Sequence, residues 1–258
     1  MKLSKLSSLA HYGLLLGVIT LSAKAQAAHV IQVDLDHVIH PLTVEIVDEA
    51  LEQARVEKAA TVIIRLNTPG GLLSATQKIV QKILHSPIPV ITYVGPSGGR
   101  AASAGFMILM AGDVAAMAPG TNTGAAHPVL LGGGKPDEVM NQKIENDTAA
   151  AVRSVTSKRG RNPELAQQAV LESKAFTDQE ALESNLIDVI SADIPELLQL
   201  LDGRTISRFG NKKETLELSN IAITPYELNL RQSILLPLID PQLAFVMLIL
   251  GVLGVYVE

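Results

Sequence analysis

The residues best suited to chemistry lie in two turns. Gly95-Pro-Ser-Gly-Gly-Arg-Ala-Ala-Ser-Ala-Gly105 holds Ser103, a serine flanked only by Ala and Gly, and Thr68-Pro-Gly-Gly71 lies upstream. Each turn follows a short apolar run that reads as a strand, Thr61 to Leu66 and Ile88 to Val94, and each leads into helical spacing. A serine at a strand-to-helix turn can be held close to backbone amides, as a nucleophile in acyl transfer requires. The same small residues also serve plain packing, by letting a helix approach a sheet closely. Ser97 is the local rival, but between Pro96 and Gly98 it suits a turn. An acyl-transfer site also needs a base and amides aimed at the developing oxyanion. The amide after Ser103 belongs to Ala104, and Gly71 could supply a second, since its bare backbone can come close. Parallel neighbouring strands would bring these amides together at their carboxyl ends, where α/β sites usually lie.

The elements that must position these turns alternate strand and helix. His29 to Leu35 reads as a strand, Leu42 to Lys58 as a helix with Pro41 in its first turn, and Leu72 to His85 as another helix. Ala101 to Met110 is predicted helical and apolar all round, which places it at the centre of the fold. Val114 to Ala118 is a further strand. This alternation predicts an α/β fold with a largely parallel sheet. Thr121 to Pro136 reads as a loop around Gly132-Gly-Gly134, with no phosphate-loop context. Helices follow over Asp137 to Arg159, Asn162 to Glu172 and, behind the capping box Thr177-Asp-Gln-Glu180, to Ser184. A strand over Leu186 to Ile190 and a helix from Asp193 to Leu201 complete the alternation, and Asp202 to Ile223 resembles a small hairpin around Gly210-Asn211.

Composition narrows the function. At 258 residues the chain suits one domain with appendages. A net charge of −5, 3% aromatics and no Trp argue against nucleic-acid partners. Cysteine is absent, which removes thiol catalysis and disulfides. With no His-Glu-x-x-His, acidic calcium loop or phosphate fingerprint, neither a metal nor a cofactor is expected. Lys2 and Lys5, the apolar run Tyr12 to Leu21 and Ala23-Lys-Ala25-Gln-Ala27 have the order of a secretory signal, cleaved after Ala25 or Ala27. Leu243 to Val257 carries no charge and falls short of the ~20 residues of a spanning helix, so it reads as the beginning of a membrane helix or a short anchor. The expected organisation is a signal over 1–27, a catalytic domain over 28–201, a hairpin and connector over 202–240 and a membrane segment beginning at 241.

Asn67-Thr-Pro-Gly-Gly71, the turn ending Ala101-Ala-Ser-Ala-Gly105, and Met117-Ala-Pro-Gly-Thr-Asn-Thr-Gly-Ala-Ala-His-Pro128 together resemble the ClpP-class membrane-bound serine proteases of the NfeD type. Relatives are the SppA-type signal peptide peptidases and, further off, ClpP and the crotonases. The resemblance spans roughly Val30 to Ile190 and implies a ClpP/crotonase-like fold. It implies a serine endopeptidase acting on apolar segments of membrane proteins. It also implies stomatin- or prohibitin-like partners and self-association as a dimer or larger oligomer. With the signal, it places the protein at a bacterial inner membrane, its protease domain on the periplasmic side.

In NfeD-type and SppA-type relatives the base is a lysine, and Gln142-Lys-Ile-Glu-Asn-Asp147 matches the segment that carries it, which makes Lys143 the candidate partner of Ser103. A free lysine, with pKa ~10.4, is protonated at neutral pH, so this role needs burial to favour the neutral form. The plain alternative is a solvated Lys143 pairing with Asp147 at i, i+4. His127 is the competing base, since imidazole needs no special tuning, but a third group must orient its ring. Lys174 stands where ClpP has its aspartate and cannot accept that bond, and Glu172 is a poor substitute. His37, His40 and His85 have no partner pattern and read as surface or turn residues. Arg100 could meet a substrate carbonyl or simply flank the helix. A scaffold of the same fold that dispenses with the dyad, and a crotonase-like thioester enzyme, are the alternatives to a peptidase.

Overall fold

β-branched runs without a polar face pair with one another because both of their faces must be covered. The computed structural model, describing residues 29–128, 138–210, 212–239 and 241–257, builds such a sheet from β1 (His29–Leu35), β2 (Thr61–Leu66), β3 (Val90–Val94), β5 (Val114–Met117), β8 (Val189–Ile190) and β11 (Ala222–Pro225). Its order is β11-β1-β2-β3-β5-β8, and every pairing is parallel. Between the strands run α1 (Pro41–Glu57), α2 (Leu73–His85) and α3 (Ala104–Ala111), then α4 (Glu138–Lys158), α5 (Pro163–Leu171) and α6 (Asp178–Glu183). A second sheet of three strands joins β4 (Arg100–Ala102), β6 (Asn122–Gly124) and β7 (Ala175–Thr177).

Side chains alternate across the main sheet. Ile31, Val62 and Ile64 pack with α1, α2 and α3 in the larger core. Ile63, Ile91 and Tyr93 face the other way, towards Leu197 and Leu201 of α7 (Ile194–Leu201) and the hairpin of β9 (Thr205–Ser207) and β10 (Lys213–Thr215). The caps predicted from sequence are in place, Asn162 Oδ1 accepting from Leu165 N and the Thr177–Glu180 box opening α6.

Four short strands depart from the sequence reading. The helix expected over Ala101 to Met110 begins only at Ala104, because Ala101 pairs with Thr68 and Thr123 as part of β4. The expected loop from Thr121 contains β6, and the run Leu186 to Ile190 is strand only at its end. β11 comes from the segment read as hairpin and connector, yet it extends the main sheet beside β1. Three or four residues carry too little period for a strand to show in sequence. The signal over 1–27 and Gly132–Gly134 lie outside the described residues.

Beyond β11, α8 (Leu230–Leu238) docks on α1 through two carboxylates, Glu45 paired with Arg231 and Glu49 at the centre of a polar cluster. Glu49 Oε2 accepts from Tyr226 Oη at 2.8 Å, Gln232 Nε2 at 3.0 Å and Asn229 Nδ2 at 3.2 Å. Burial and this bond push the Tyr226 phenol up to about 12. α9 (Pro241–Val257) is apolar, with Phe245, Met247 and Tyr256 exposed. Among the described residues no helix is long and apolar enough to cross a membrane. Glu49→Ala should leave buried Gln232 short of an acceptor and weaken the docking of α8 by about 1–3 kcal/mol. Faster hydrogen exchange in α8, without matching change in α2, is the expected reading, and unchanged exchange would contradict it.

Candidate active site

Ser103 sits where β4 ends and α3 begins, at φ 53° and ψ −110°. A non-glycine residue in the left-handed region costs of order 1–3 kcal/mol, and it persists only where its neighbours are pinned. They are. Thr68 N donates to Arg100 O at 2.7 Å, Ala102 N to Thr68 O at 3.1 Å, and Ser103 N to Gly124 O at 2.9 Å. The bend lifts the serine side chain to the mouth of a pocket, as at other strained strand-to-helix nucleophile turns.

The second turn packs directly against it. A Cβ added to Gly70, at φ 127°, would lie 2.9 Å from Ser103 Cβ and 3.3 Å from its Oγ. One added to Gly71 would lie 2.1 Å from Ile39 O. Ile39 N donates to Gly70 O and Leu72 N to Ile39 O, both at 2.8 Å, and Thr68 Oγ1 donates to His37 O at 2.7 Å. Because the Gly70 carbonyl is turned to Ile39, the trans peptide aims the Gly71 N–H the opposite way. The Gly71 and Ala104 amides donate to no acceptor among the described residues. Ala104 also heads α3, where the first amides have no intrahelical partner and the helix dipole is positive.

Ser103, Ala104 and Gly71 open into a cavity of about 500 Å³. Its walls are mostly apolar: Val38, Leu72, Met107, Ala126 and Ile144. Such a concave apolar site with two free amides and a hydroxyl can seat an extended peptide and polarise its carbonyl.

The two candidate bases lie outside the pocket lining. α4 turns Asn141, Ile144 and Thr148 towards the cavity, and Lys143 falls off that face. Lys143 is therefore exposed, without the burial its role as base needs, and among the described residues it forms no ion pair with Asp147 or any other acid. His127 lies half-exposed between the pocket-lining Ala126 and Pro128, its Nδ1 3.2 Å from Val170 O and 3.8 Å from Glu145 Oε1. Glu145, not Glu172, is thus the acid beside the ring. Arg100 is exposed, with its amide donating to Asn67 Oδ1. Among the described residues no three His, Asp or Glu side chains gather as a metal site.

Several site residues escaped sequence reasoning. Ile39 and Val38 come from the turn after β1, and Met107 from the pocket-facing side of α3. Gly124 accepts from Ser103 N while held at φ 110°. Its place in the Thr-Gly-Ala-Ala run was the one available signal. His40 is buried, not a surface residue, and neither ring nitrogen has a partner among the described residues. Burial and nearby His37 lower its pKa to about 4. His85 is at the surface, bonded to Gln81 O.

The model of the NfeD1b N-terminal domain matches residues 29–199. The chain belongs to the NfeD1b family. Membrane-bound protease PH1510 of Pyrococcus horikoshii is 35% identical over 208 residues, covering 80% of this chain and 47% of that protein. The chain therefore spans about half the length of that relative. A solved structure of 1510-N, a membrane-bound stomatin-specific protease, in a serine-to-alanine mutant form has a TM-score of 0.72 and 32% identity. It covers 79% of this chain and 99% of that one. A lysine-to-alanine mutant of 1510-N in complex with a substrate peptide has a TM-score of 0.74 at 31% identity, covering 81% and 96%. The NfeD1b-family domain is thus a homologue of a ClpP-class serine protease, and its α/β fold with an all-parallel six-stranded sheet matches the 1510-N structures.

Gly70→Ala should place a methyl group against Ser103 and cost about 1 kcal/mol or more, since φ 127° does not suit an L side chain. The expected readings are a lower melting temperature and slower labelling of Ser103 by a fluorophosphonate, and a variant equal to wild type in both would refute the contact. His40 predicts an acid limit. The folded pKa of about 4 lies below the ordinary histidine value of 6.5, so the unfolded chain binds more protons between them. Stability then rises with pH through that window and is lost as pH falls from 6.5 towards 4, by about 3 kcal/mol in full. His40→Phe should flatten melting temperature against pH over this range, and an unaltered slope would assign the acid loss elsewhere.

Proposed function

We propose that this NfeD1b-family domain is a serine endopeptidase that cleaves peptide bonds in apolar segments of membrane proteins. The observation that carries the reading is left-handed Ser103 at the head of buried α3, pressed against the Gly70-Gly71 turn and facing an apolar cavity. Ser103 Oγ attacks the scissile carbonyl carbon, and the Gly71 and Ala104 amides receive the negative charge on its oxygen. Neutral Lys143 takes the serine proton and, as lysinium, returns it to the leaving amine. Water then hydrolyses the acyl-enzyme by the same route. The lysine and serine mutants of 1510-N, one with a substrate peptide, support this pairing by resemblance. For Lys143 to act, the first turns of α4 must rotate it from solvent towards Ser103, where desolvation would favour the neutral amine.

Val38, Leu72, Met107 and Ile144 suit apolar substrate side chains, and the resemblance to 1510-N, a stomatin-specific protease, makes stomatin-like proteins the proposed partners. The proposed setting is a bacterial inner membrane, with the domain on the periplasmic side and self-associated. Exposed Lys143 favours one second reading, a scaffold for stomatin-like assemblies that does not use the dyad.

Wild type, Ser103→Ala, Lys143→Ala and His127→Ala assayed on an apolar peptide library separate these readings. Ser103→Ala and Lys143→Ala should each lose at least about 10³-fold in kcat, while His127→Ala should keep most activity. Full activity in Lys143→Ala with loss in His127→Ala would exchange the base. Inert wild type that still binds a stomatin-like protein would establish the scaffold.

A further inference from the structure

We infer that Arg159 and Arg161 are positioning residues for the nucleophile turn, holding the far end of α3 and so setting where Ser103 and the Ala104 amide stand. This rests on the reading of Ser103 as the nucleophile.

α3 is Ala-Gly-Phe-Met-Ile-Leu-Met-Ala, buried at every position and without a polar side chain. Close packing, with Gly105 against Thr68 and Ala101, seats the helix, but apolar contact is non-directional and leaves its fine placement to directional bonds. Polar bonds at its ends supply that restraint. At the carboxyl end, four successive carbonyls each accept from a side chain. Thr92 Oγ1 bonds Leu109 O at 2.9 Å. Arg161 spans two of them, Nη1 to Met110 O at 2.9 Å and Nη2 to Gly112 O at 3.1 Å. Arg159 binds Ala111 O through Nε at 2.9 Å and Nη2 at 2.6 Å. These are the carbonyls a helix end leaves orphaned.

The two guanidinium groups are themselves immobilised, each side chain being 1% exposed. Arg159 Nη1 pairs with Asp113, whose second oxygen accepts from Val90 N of β3 at 2.9 Å. Arg161 Nη2 pairs at 2.7 Å with Asp188 Oδ2, which accepts from Ala115 N of β5 at 2.7 Å. The carbonyls of α3 are therefore referred, through two planar forks, to the central strands of the sheet. Buried ion pairs are weak sources of stability, because desolvation offsets their attraction, whereas a fork imposes geometry. An eight-residue helix spans only about 12 Å, so a displacement at Ala111 carries to Ser103 nearly undiminished. Positive charge at this end also complements the helix dipole, whose amino end meets the proposed oxyanion.

Arg208 provides an internal control. It shares Asp113 Oδ1 at 3.1 Å, but its other bonds go to Glu214 and to the carbonyls of Ser86, Pro87 and Ile88, none of them in α3. The experiment compares wild type, Ser103→Ala, Arg159→Lys, Arg161→Lys and Arg208→Lys in the full chain. Each is assayed for kcat and KM on an apolar peptide, for the rate of Ser103 phosphonylation by a fluorophosphonate, and for melting temperature. Arg161→Lys and Arg159→Lys should lower kcat and phosphonylation at least about tenfold with KM nearly unchanged, since small misplacements of reacting groups cost rate steeply. Arg208→Lys should lower melting temperature by a similar amount and leave kcat in place. Should Arg161→Lys fail to fold, Arg159→Lys, which loses only one carbonyl, carries the comparison. Serine-dependent labelling with unchanged rates in both variants overturns the inference alone, as does an equal fall in kcat for Arg208→Lys. Wild type that is not labelled at Ser103 overturns the nucleophile reading and the inference with it.

Discussion

Three backbone segments meet closely at the end of the sheet, where two glycines leave no room for a side chain of their own, and the rest of the site depends on that contact. Gly71 lies against the main chain of Ile39, and Gly70 against Ser103, at distances that a methyl group would violate. The contact turns one carbonyl inward to Ile39 and leaves the next amide facing the cavity. It also ties the ends of β1, β2 and β4 into one unit through Ile39, Thr68 and Arg100. Preorganised amides are effective because they need no rearrangement when charge develops, and bonded main chain on three sides supplies that rigidity.

Around this contact the protein separates apolar bulk from polar positioning. α3 contributes only packing surface along its length, and its polar groups act at its two termini. The amino end keeps its amides free beside Ser103, while the carboxyl end is saturated by Thr92, Arg159 and Arg161. Asp113 links that end to Arg208 and so to the small hairpin on the opposite face of the sheet. A distant appendage and the central helix therefore share one buried carboxylate. α8 docks on α1 through Glu49 and the Arg231–Glu45 pair, and its Leu236 and Pro237 lie beside the His37–His40 turn that supports Gly71.

Most of the frame was legible because its elements are long enough to show a period. β2 and α1 stand within a residue or so of where a continuous apolar run and helical spacing put them, and Asn162 and Thr177 cap as their types require. β4, β6 and β11 were not legible, since runs of three or four residues show no period and become strands only through their partners. The site divides along the same line. Ser103, Ala104 and Gly71 were visible as small residues in two turns that parallel strands would align. His40 and Ile39 were not, because burial and main-chain bridging leave no mark on residue type.

The sequence by itself determined the strand-helix alternation, the nucleophile candidate and the glycines that admit close approach. These are properties of residue type and spacing, and they act locally. Only the tertiary structure decided that Ser103 adopts a left-handed turn, that its cavity is walled by Val38, Met107 and Ile144, and that Lys143 and His127 stand outside its lining. Those outcomes depend on which face of α4 meets α3 and on which turns the parallel sheet sets side by side. Both are settled by long-range packing, which the order of residues along the chain does not display.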